Sequence, residues 1–182
     1  QASLTTFSQI MEMPLEHKPQ SPHQLNDIET FAFRDVSFKH ISAPNNALSH
    51  INFTAKRGQT IAFVGPSGSG KSTLVKLLVG LYHPASGQIL YNGTDSNSIN
   101  LDDLRGQIGF VTQDTQLFAG TIRENLLFVN PQAADEQILN ALKMASCNSL
   151  LERAENGLNT IIGEGGVKVS GGEKQRLSIA RA

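Results

Sequence analysis

The chain has 182 residues, of which 39% are hydrophobic and 17% are charged, and its formal net charge is −1. This length suits one globular domain, with or without a subdomain, and the near-neutral charge argues against a nucleic-acid-binding surface. The single cysteine, Cys147, excludes an internal disulfide, and no apolar run reaches the roughly 20 residues of a membrane-spanning helix.

The first thirty residues read differently from the rest of the chain. Apolar residues at helical spacing predict a helix within residues 1–10, and Pro14, Pro19 and Pro22 then predict a linker. A disordered tail is the alternative that the sequence leaves open. The chain starts without Met and stops at Ala182 inside a helical pattern, so we expect both ends to be cut.

Alternating apolar residues predict antiparallel strands on both sides of a glycine-rich loop. Such alternation runs from Phe31 to Phe38 and again over residues 51–55. A further strand, residues 88–91, closes at Asn92-Gly93, which is a strong signal for a two-residue hairpin. Two short buried-type strands are predicted in addition, at residues 60–64 and 108–112.

The helices follow from apolar positions at helical spacing. We predict them at residues 72–80, 101–105, 121–128, 135–145 and 149–154. The apolar stripe of the fourth helix consists of Ile138, Leu139, Leu142 and Ala145. It is interpreted as core, with a partner groove as the alternative. Together these elements predict an α/β fold: a parallel core with an added antiparallel β layer and a helical subdomain.

The stretch from Gly65 to Thr73, GPSGSGKST, has the pattern of a phosphate-binding loop. It lies between the predicted strand 60–64 and the predicted helix 72–80, so backbone N–H groups and the helix dipole converge on one point. Lys71 is then expected to reach the β- and γ-phosphates, and the Ser72 hydroxyl to ligate Mg²⁺. A flexible glycine-serine turn before an ordinary helix is the alternative.

A second glycine motif, residues 169–176, opens the last helix of the chain. Ser170 and Glu173 have the spacing of a capping box, which is a purely structural interpretation. The functional alternative is a second anion site, formed by the Ser170 hydroxyl and by the exposed amides of Gly171 and Gly172.

Taken together, the two motifs resemble the nucleotide-binding domain of ATP-binding-cassette transporters of the exporter type. The resemblance covers residues 31–182, and Val169-Ser-Gly-Gly-Glu173 stands where the family signature is usually Leu-Ser-Gly-Gly-Gln. Gln113, at the end of a predicted strand, is a further marker. Residues 117–125 and 160–166 are also similar to exporter sequences.

The resemblance implies a P-loop NTPase (RecA-like) core with an antiparallel β subdomain and an α-helical subdomain. Residues 1–30 would be the end of a membrane domain and its linker, and residues 31–182 the nucleotide-binding domain. Within the latter, the implied parts are the β subdomain and P-loop core (31–113), the helical subdomain (114–172) and the start of the signature helix (170–182).

The resemblance also implies that ATP and Mg²⁺ bind between two such domains arranged head to tail. Lys71 and Gln113 would be catalytic, and Ser72 and Gln113 would be the metal-site residues. The implied nucleotide-binding residues are His40, Gly65, Ser67, Gly68, Ser69, Gly70, Lys71, Ser72, Thr73, Gln113, Ser170, Gly171, Gly172 and Glu173.

A membrane domain of the same transporter is the second implied partner, and the implied location is the cytoplasmic side of the cell (inner) membrane. The helical subdomain, residues 117–125 and Glu164 would contact the membrane domain. No nucleic acid is expected as a partner. The transported substrate would be chosen by membrane helices.

The sequence departs from the family pattern at two positions. His40 stands where the family stacks an aromatic residue, usually Tyr, on adenine, whereas Phe38 is expected to face the core. Glu173 replaces a neutral Gln, which places a negative charge near the expected phosphate.

In the family, the Walker B strand, the catalytic glutamate and the switch histidine follow the signature helix. We therefore expect that this chain is truncated before these elements. We also expect the truncated chain to be inactive as an ATPase and poorly stable by itself. A soluble cassette ATPase and a non-catalytic nucleotide-binding module are the alternative functions.

Overall fold

A computed structural model describes residues 11, 16, 18–113, 116–163 and 165–182. By its internal contacts the chain divides into two compact units, Gln1–Gln107 and Ile108–Ala182. Within the described ranges, no helix combines the length and the hydrophobicity needed to cross a membrane. The helix predicted within residues 1–10 lies outside the described residues.

An antiparallel sheet of four strands dominates the first unit. Its order is β2-β1-β3-β4, and its strands are β1 (Thr30–Phe38), β2 (Leu48–Lys56), β3 (Ser86–Tyr91) and β4 (Thr94–Asp95). Phe33 is buried at its centre, where it is paired with Phe53 on one side and with Ile89 on the other. The Phe33 and Phe53 rings stack with centroids 4.7 Å apart. The antiparallel strands predicted by alternation are confirmed.

The hairpin between β3 and β4 turns at Asn92-Gly93, as the sequence predicts. Both residues have positive φ, 50° and 81°, which is the geometry of a type I′ turn. The Asn92 side chain also bonds the chain at the start of β1. Its Oδ1 accepts hydrogen bonds from the backbone N–H groups of Glu29 and Thr30 at 2.8 and 3.0 Å.

The helix that follows the phosphate-loop sequence, α1, spans Lys71–Leu78. It ends two residues before the predicted end at residue 80. It closes in a Schellman motif: Gly80, at φ 70°, donates to the Leu77 carbonyl and Leu81 donates to the Lys76 carbonyl. The Tyr91 hydroxyl donates to the carbonyl of Leu78. This bond ties the end of α1 to β3, and burial raises the pKa of Tyr91.

The described part of the predicted linker belongs to the first unit and contacts residues 92–107 of it. Glu16 forms a two-pronged ion pair with Arg105 (2.5 and 3.0 Å) at the end of α2 (Leu101–Gly106). His23 pairs with Ile99 through a short parallel bridge, and Gln107 bonds the backbone of Leu25 and of Ile28. These contacts were not predicted from the sequence.

The two predicted buried strands at residues 60–64 and 108–112 are wrong for the structure described. Neither segment is a strand, and no described residue forms a ladder with either. Ile61 is 40% exposed and Val64 is 91% exposed. Buried parallel strands need partners on their edges and cover on their faces, and an apolar run in the sequence supplies neither.

The second unit is mainly helical. Its elements are β5 (Gly120–Thr121), α3 (Ile122–Leu127), α4 (Asp135–Met144), α5 (Asn148–Glu152), a 3₁₀ turn (Gly157–Asn159), β6 (Ile161–Ile162) and α6 (Gly171–Arg181). The strands β5 and β6 form a two-residue antiparallel ladder that the sequence did not predict. The helices predicted at 121–128, 135–145 and 149–154 are confirmed, each with slightly shorter bounds.

One apolar cluster holds the second unit together. The stripe on α4 enters it through Ile138, Leu142 and the adjoining Ala145, all of them buried. Leu139, predicted in the same stripe, is instead partly exposed. From α6 the cluster receives Leu177, so the helix that starts at the signature packs on the helical core. The core interpretation of the stripe is therefore confirmed for three of its four residues.

Candidate functional site

The phosphate-loop sequence adopts a glycine-dependent conformation. Gly68 and Gly70 have φ of 82° and 87°, a region that residues with a Cβ rarely adopt. Gly70 is also confined by its surroundings: a Cβ there would lie 2.6 Å from the Ala47 carbonyl oxygen and 2.7 Å from Leu48 Cδ2. Around Gly68, by contrast, the space is open. Gly70 is thus fixed both by its backbone conformation and by close packing on the strand β2.

Lys71 folds back over the loop that precedes it. Its Nζ donates to the carbonyl oxygens of Gly65 and Pro66 at 2.9 and 2.8 Å, and to Ser69 Oγ at 3.4 Å. The loop is thereby wrapped around a single ammonium group. An ammonium group in this position can also contact an anion held in the loop, since Lys binds phosphate as a point charge.

The first turn of α1 has free donors. Its first helical bond joins Leu74 N–H to the Gly70 carbonyl at 2.9 Å, so the N–H groups of Lys71, Ser72 and Thr73 have no acceptor inside the helix. Gly70 supplies no side-chain cap. Such an N-terminus suits an anionic ligand, because it has no side-chain cap, has the positive end of the helix dipole, and has three N–H groups without an acceptor among the described residues.

His40 belongs to an aromatic group beside α1. Its ring lies edge-on to Phe38, with centroids 4.9 Å apart, and edge-on to Tyr82 at 5.6 Å. Its Nε2 is 3.5 Å from Thr73 Oγ1 in the first turn of α1. Phe38 is buried, as expected, and stacks on Tyr82. Tyr82 was not singled out in the sequence, because it follows α1 without any motif of its own.

The signature motif forms the start of α6 as a complete capping box. Ser170 Oγ accepts from the backbone N–H of Glu173 at 3.3 Å, and Glu173 Oε2 accepts from the Ser170 N–H at 2.9 Å. Ser170 Oγ also donates to the same carboxylate oxygen at 2.8 Å. The capping interpretation is confirmed, whereas the anion-site interpretation stays a prediction. Ser170, Gly171 and Gly172 are all exposed.

Glu173 is turned into the unit, where it is 7% exposed. Its second oxygen, Oε1, accepts from Ser149 Oγ at 3.2 Å and is paired with the guanidinium of Arg153. The bonds from the N–H and hydroxyl of Ser170, together with the Arg153 pair, lower the pKa of Glu173 to about 2. Arg153 carries no sequence signal for this role, because it lies 20 residues before its partner.

The remaining predicted site residues are distributed over both units. Ser72 is exposed on the first turn of α1, and Ser67 and Ser69 are exposed in the loop. Gln113 belongs to the second unit, where it is exposed at a bend that no strand precedes. Glu164 lies outside the described residues.

Three features of the loop and of the first turn of α1 suit a phosphate group: the N–H groups of that turn, the glycine backbone and Lys71. A Mg²⁺ ion that binds with nucleotide takes most of its ligands from phosphates and water, with few from protein. No cluster of three or more His, Cys, Asp or Glu side chains suited to a metal occurs among the described residues. Within the first unit, the Ser72 hydroxyl remains the predicted protein ligand for such an ion.

The chain is similar to known proteins in sequence and in fold. The family model described as "ABC transporter" matches residues 48–182. The chain is 47% identical over 150 residues to ABC transporter B family member 13 of Arabidopsis thaliana, which covers 82% of the chain and 12% of that relative. It is 42% identical over 164 residues to a probable multidrug resistance ABC transporter ATP-binding/permease protein of Bacillus subtilis, with coverage of 90% and 28%.

A solved structure is similar over almost the whole chain. It is described as a bacterial Atm1-family ABC exporter with ATP bound, and it superposes with a TM-score of 0.85 at 33% identity. The match covers 99% of this chain and 32% of the exporter chain. In each of these comparisons the chain spans less than a third of the known protein.

Proposed function

Because the chain belongs to the ABC transporter family, we propose that it is the ATP-binding domain of an exporter. ATP binding and hydrolysis at an interface between two such domains would drive a substrate across a membrane. Its similarity to an ATP-binding/permease protein and to the structure of an exporter with ATP bound supports this assignment.

The phosphate loop is the observation that carries the proposal. Lys71 is held on the carbonyls of Gly65 and Pro66, and the first turn of α1 offers three N–H groups without acceptors. Both features favour a chain of phosphates, because charge-assisted bonds from an ammonium and from N–H groups at a helix N-terminus are the strong ones. The loop residues Ser67, Gly68 and Ser69 complete this cradle.

Ser72 and Gln113 would bind the metal ion, and Gln113 would also approach the attacking water. Mg²⁺ bound with the nucleotide neutralises negative charge on the β- and γ-phosphates. The Ser72 hydroxyl is a suitable magnesium ligand, and the Gln113 amide would approach the metal and the attacking water. His40 would contact the adenine base, since it lies beside α1 in an aromatic group that holds its ring in place.

The second partner in the site would be another nucleotide-binding domain. In the proposed head-to-tail arrangement, Ser170, Gly171 and Gly172 of one domain would hold the γ-phosphate of the ATP bound to the other. The exposure of these three residues at a helix N-terminus supports this role.

A membrane domain would contact the second unit. Phe118 and Phe128 are 46% and 65% exposed, and their rings lie 4.4 Å apart. The buried Asn125 fixes the backbone of Phe118, because its side chain accepts from the Phe118 N–H at 2.9 Å and donates to the Phe118 carbonyl at 3.0 Å. This exposed apolar pair supports docking of the domain to loops of a membrane domain. In the proposed exporter those loops, and with them this domain, would lie on the cytoplasmic side of the membrane. Residues 1–30 would be the end of that membrane domain and its linker to the nucleotide-binding domain.

A non-catalytic nucleotide-binding module is the second candidate. The carboxylate of Glu173 in the signature favours it, because the family usually has a neutral Gln there. Magnesium-dependent ATP turnover by the protein at its full natural length separates the two functions.

Substitution of Lys71 tests nucleotide binding directly. Lys71→Ala removes a charge-assisted contact worth about 1.5–3 kcal/mol, so ATP affinity should fall roughly tenfold or more by calorimetry. Lys56→Ala, which removes a surface lysine at the end of β2, is the matched control and should bind ATP as the wild type does. Equal ATP affinity of the Lys71→Ala protein and the wild type would refute the assignment.

A further inference from the structure

Glu173 is held by more bonds than a capping box requires. Its Oε2 accepts from both the N–H and the hydroxyl of Ser170, at 2.9 and 2.8 Å. Its Oε1 accepts from Ser149 Oγ at 3.2 Å and from Arg153. The carboxylate is buried, and a buried carboxylate without a cationic partner is costly.

Arg153 is fixed from several directions. It is the C-terminal cap of α5, its Nε donates to the Ser149 carbonyl, and its Nη1 donates to the Lys168 carbonyl, each at 3.2 Å. Its other terminal nitrogen pairs with Glu173. Lys168 lies two residues before Ser170, so Arg153 connects α5, the chain leading into the signature and the first turn of α6.

The arrangement matters for the Ser170 hydroxyl. In the structure this hydroxyl donates its proton to Glu173 and is therefore not directed outward. A carboxylate without its partner would hold that proton more strongly and would add a negative charge beside the proposed phosphate position. Arg153 opposes both effects, because it occupies Oε1 and balances the charge.

We propose that Arg153 is a positioning residue for the nucleotide step: by pairing with Glu173, it makes an acidic signature compatible with an anionic ligand and leaves the Ser170 hydroxyl free to turn to a terminal phosphate. This inference rests on the proposed function, and it deepens the role of the signature. It explains how the chain functions with Glu173 in place of a neutral residue.

The test is a double-mutant cycle in the protein at its full natural length, with Mg-ATP as the ligand. Arg153→Met should raise the KM for ATP on the order of tenfold, with a smaller change in kcat. The reason is that the unpaired negative charge of Glu173 would weaken the binding of ATP in the ground state. The defect should shrink at high salt, which screens the charge. Arg153→Met combined with Glu173→Gln should return KM to within about twofold of Glu173→Gln alone.

A merely structural role for Arg153 predicts a different pattern. The bonds to the carbonyls of Ser149 and Lys168 are lost in the double variant too, so a structural defect would be neither rescued by Glu173→Gln nor reduced by salt. Either result would overturn the inference. If Arg153→Met does not fold, Arg153→Lys keeps the charge and should have a near wild-type KM; a tenfold rise for that variant would also overturn it.

Lys71→Ala in the same assay separates this inference from the function on which it rests. If Lys71→Ala loses turnover but Glu173→Gln does not rescue the KM of Arg153→Met, only the inference about Arg153 is refuted, and the proposed function stands. A wild-type protein without turnover, or a Lys71→Ala variant with normal turnover, refutes the proposed function and the inference together.

Discussion

The two proposed phosphate-binding elements are both helix N-termini, but they are built in opposite ways. The N-terminus of α1 follows Gly70 in a left-handed conformation and has no side-chain cap. The N-terminus of α6 follows Ser170 in an extended conformation and is closed by its own capping box. Each has the positive end of a helix dipole, but a hydroxyl and a carboxylate of the protein occupy the start of α6, whereas no side chain caps α1.

This difference bears on how each helix could meet a ligand. An anion at α1 would gain bonds to the backbone N–H groups of the first turn without displacing a capping side chain. An anion at α6 must compete with Glu173 for the Ser170 hydroxyl. The first element is therefore suited to lasting nucleotide binding, and the second to a contact that is made and released.

The open construction of α1 depends on Gly70. In Gly70→Ala the new Cβ would overlap the Ala47 carbonyl and Leu48, in a backbone conformation that already costs about 1–2 kcal/mol. With overpacking added, the free energy of unfolding should fall by about 2–4 kcal/mol, as measured by urea denaturation.

Gly68→Ala is the matched control, because Gly68 has nearly the same φ and a Cβ there meets nothing within 4 Å. Only the conformational cost of about 1–2 kcal/mol should remain. Equal destabilisation by the two substitutions would show that close packing at Gly70 has no part in shaping the loop.

The closed construction of α6 should depend on pH through Glu173. Its pKa of about 2 in the folded protein lies below the ordinary value of 4.5, so the stabilisation is complete above pH 4.5 and is lost as the pH falls toward 2. Because Arg153 is half exposed, we expect a loss of about 1–2 kcal/mol over this window.

Glu173→Gln supplies the control for this pH dependence. The amide keeps an oxygen acceptor for the cap but does not titrate, so the difference in unfolding free energy between wild type and variant should narrow as the solution is acidified. A difference that stays constant from pH 5 to pH 2.5 would contradict the assigned ionisation.

The Ser170 cap itself should have a smaller effect. Ser170→Ala removes the N-cap of α6 and should cost about 1 kcal/mol of stability. Asn100→Ala removes the N-cap of α2, where Asn100 Oδ1 accepts from the Asp102 N–H at 2.9 Å, and should cost a similar amount. Only Ser170→Ala should also raise the KM for ATP; the same KM for both variants would leave Ser170 with a capping role alone.

The smallest effect is expected at His40. If its ring contacts adenine, His40→Tyr should tighten ATP binding by about 0.5 kcal/mol, because the larger ring offers more stacking area. Tyr82→Phe, which keeps the ring of its neighbour, should leave affinity unchanged. Unaltered or weaker ATP binding by His40→Tyr in calorimetry would assign His40 to packing beside α1 only.

Much of the fold could be predicted because the signals are local. Asn92-Gly93 determines its turn from its own backbone preferences, and Ser170 with Glu173 determines a cap across a single helical turn. The glycines of the phosphate loop likewise indicate a backbone conformation with positive φ, which other residues rarely adopt. These features involve residues within a few positions of one another, so the sequence alone contains them.

Tertiary structure decided what depends on distant partners. The segments 60–64 and 108–112 have the composition of buried strands, but a strand exists only with a ladder partner, and none of the described residues provides one. Arg153 meets Glu173, and Glu16 meets Arg105, across 20 and 89 residues. Such pairs have no period or motif, because the energy that selects them comes from burial and charge in the folded chain.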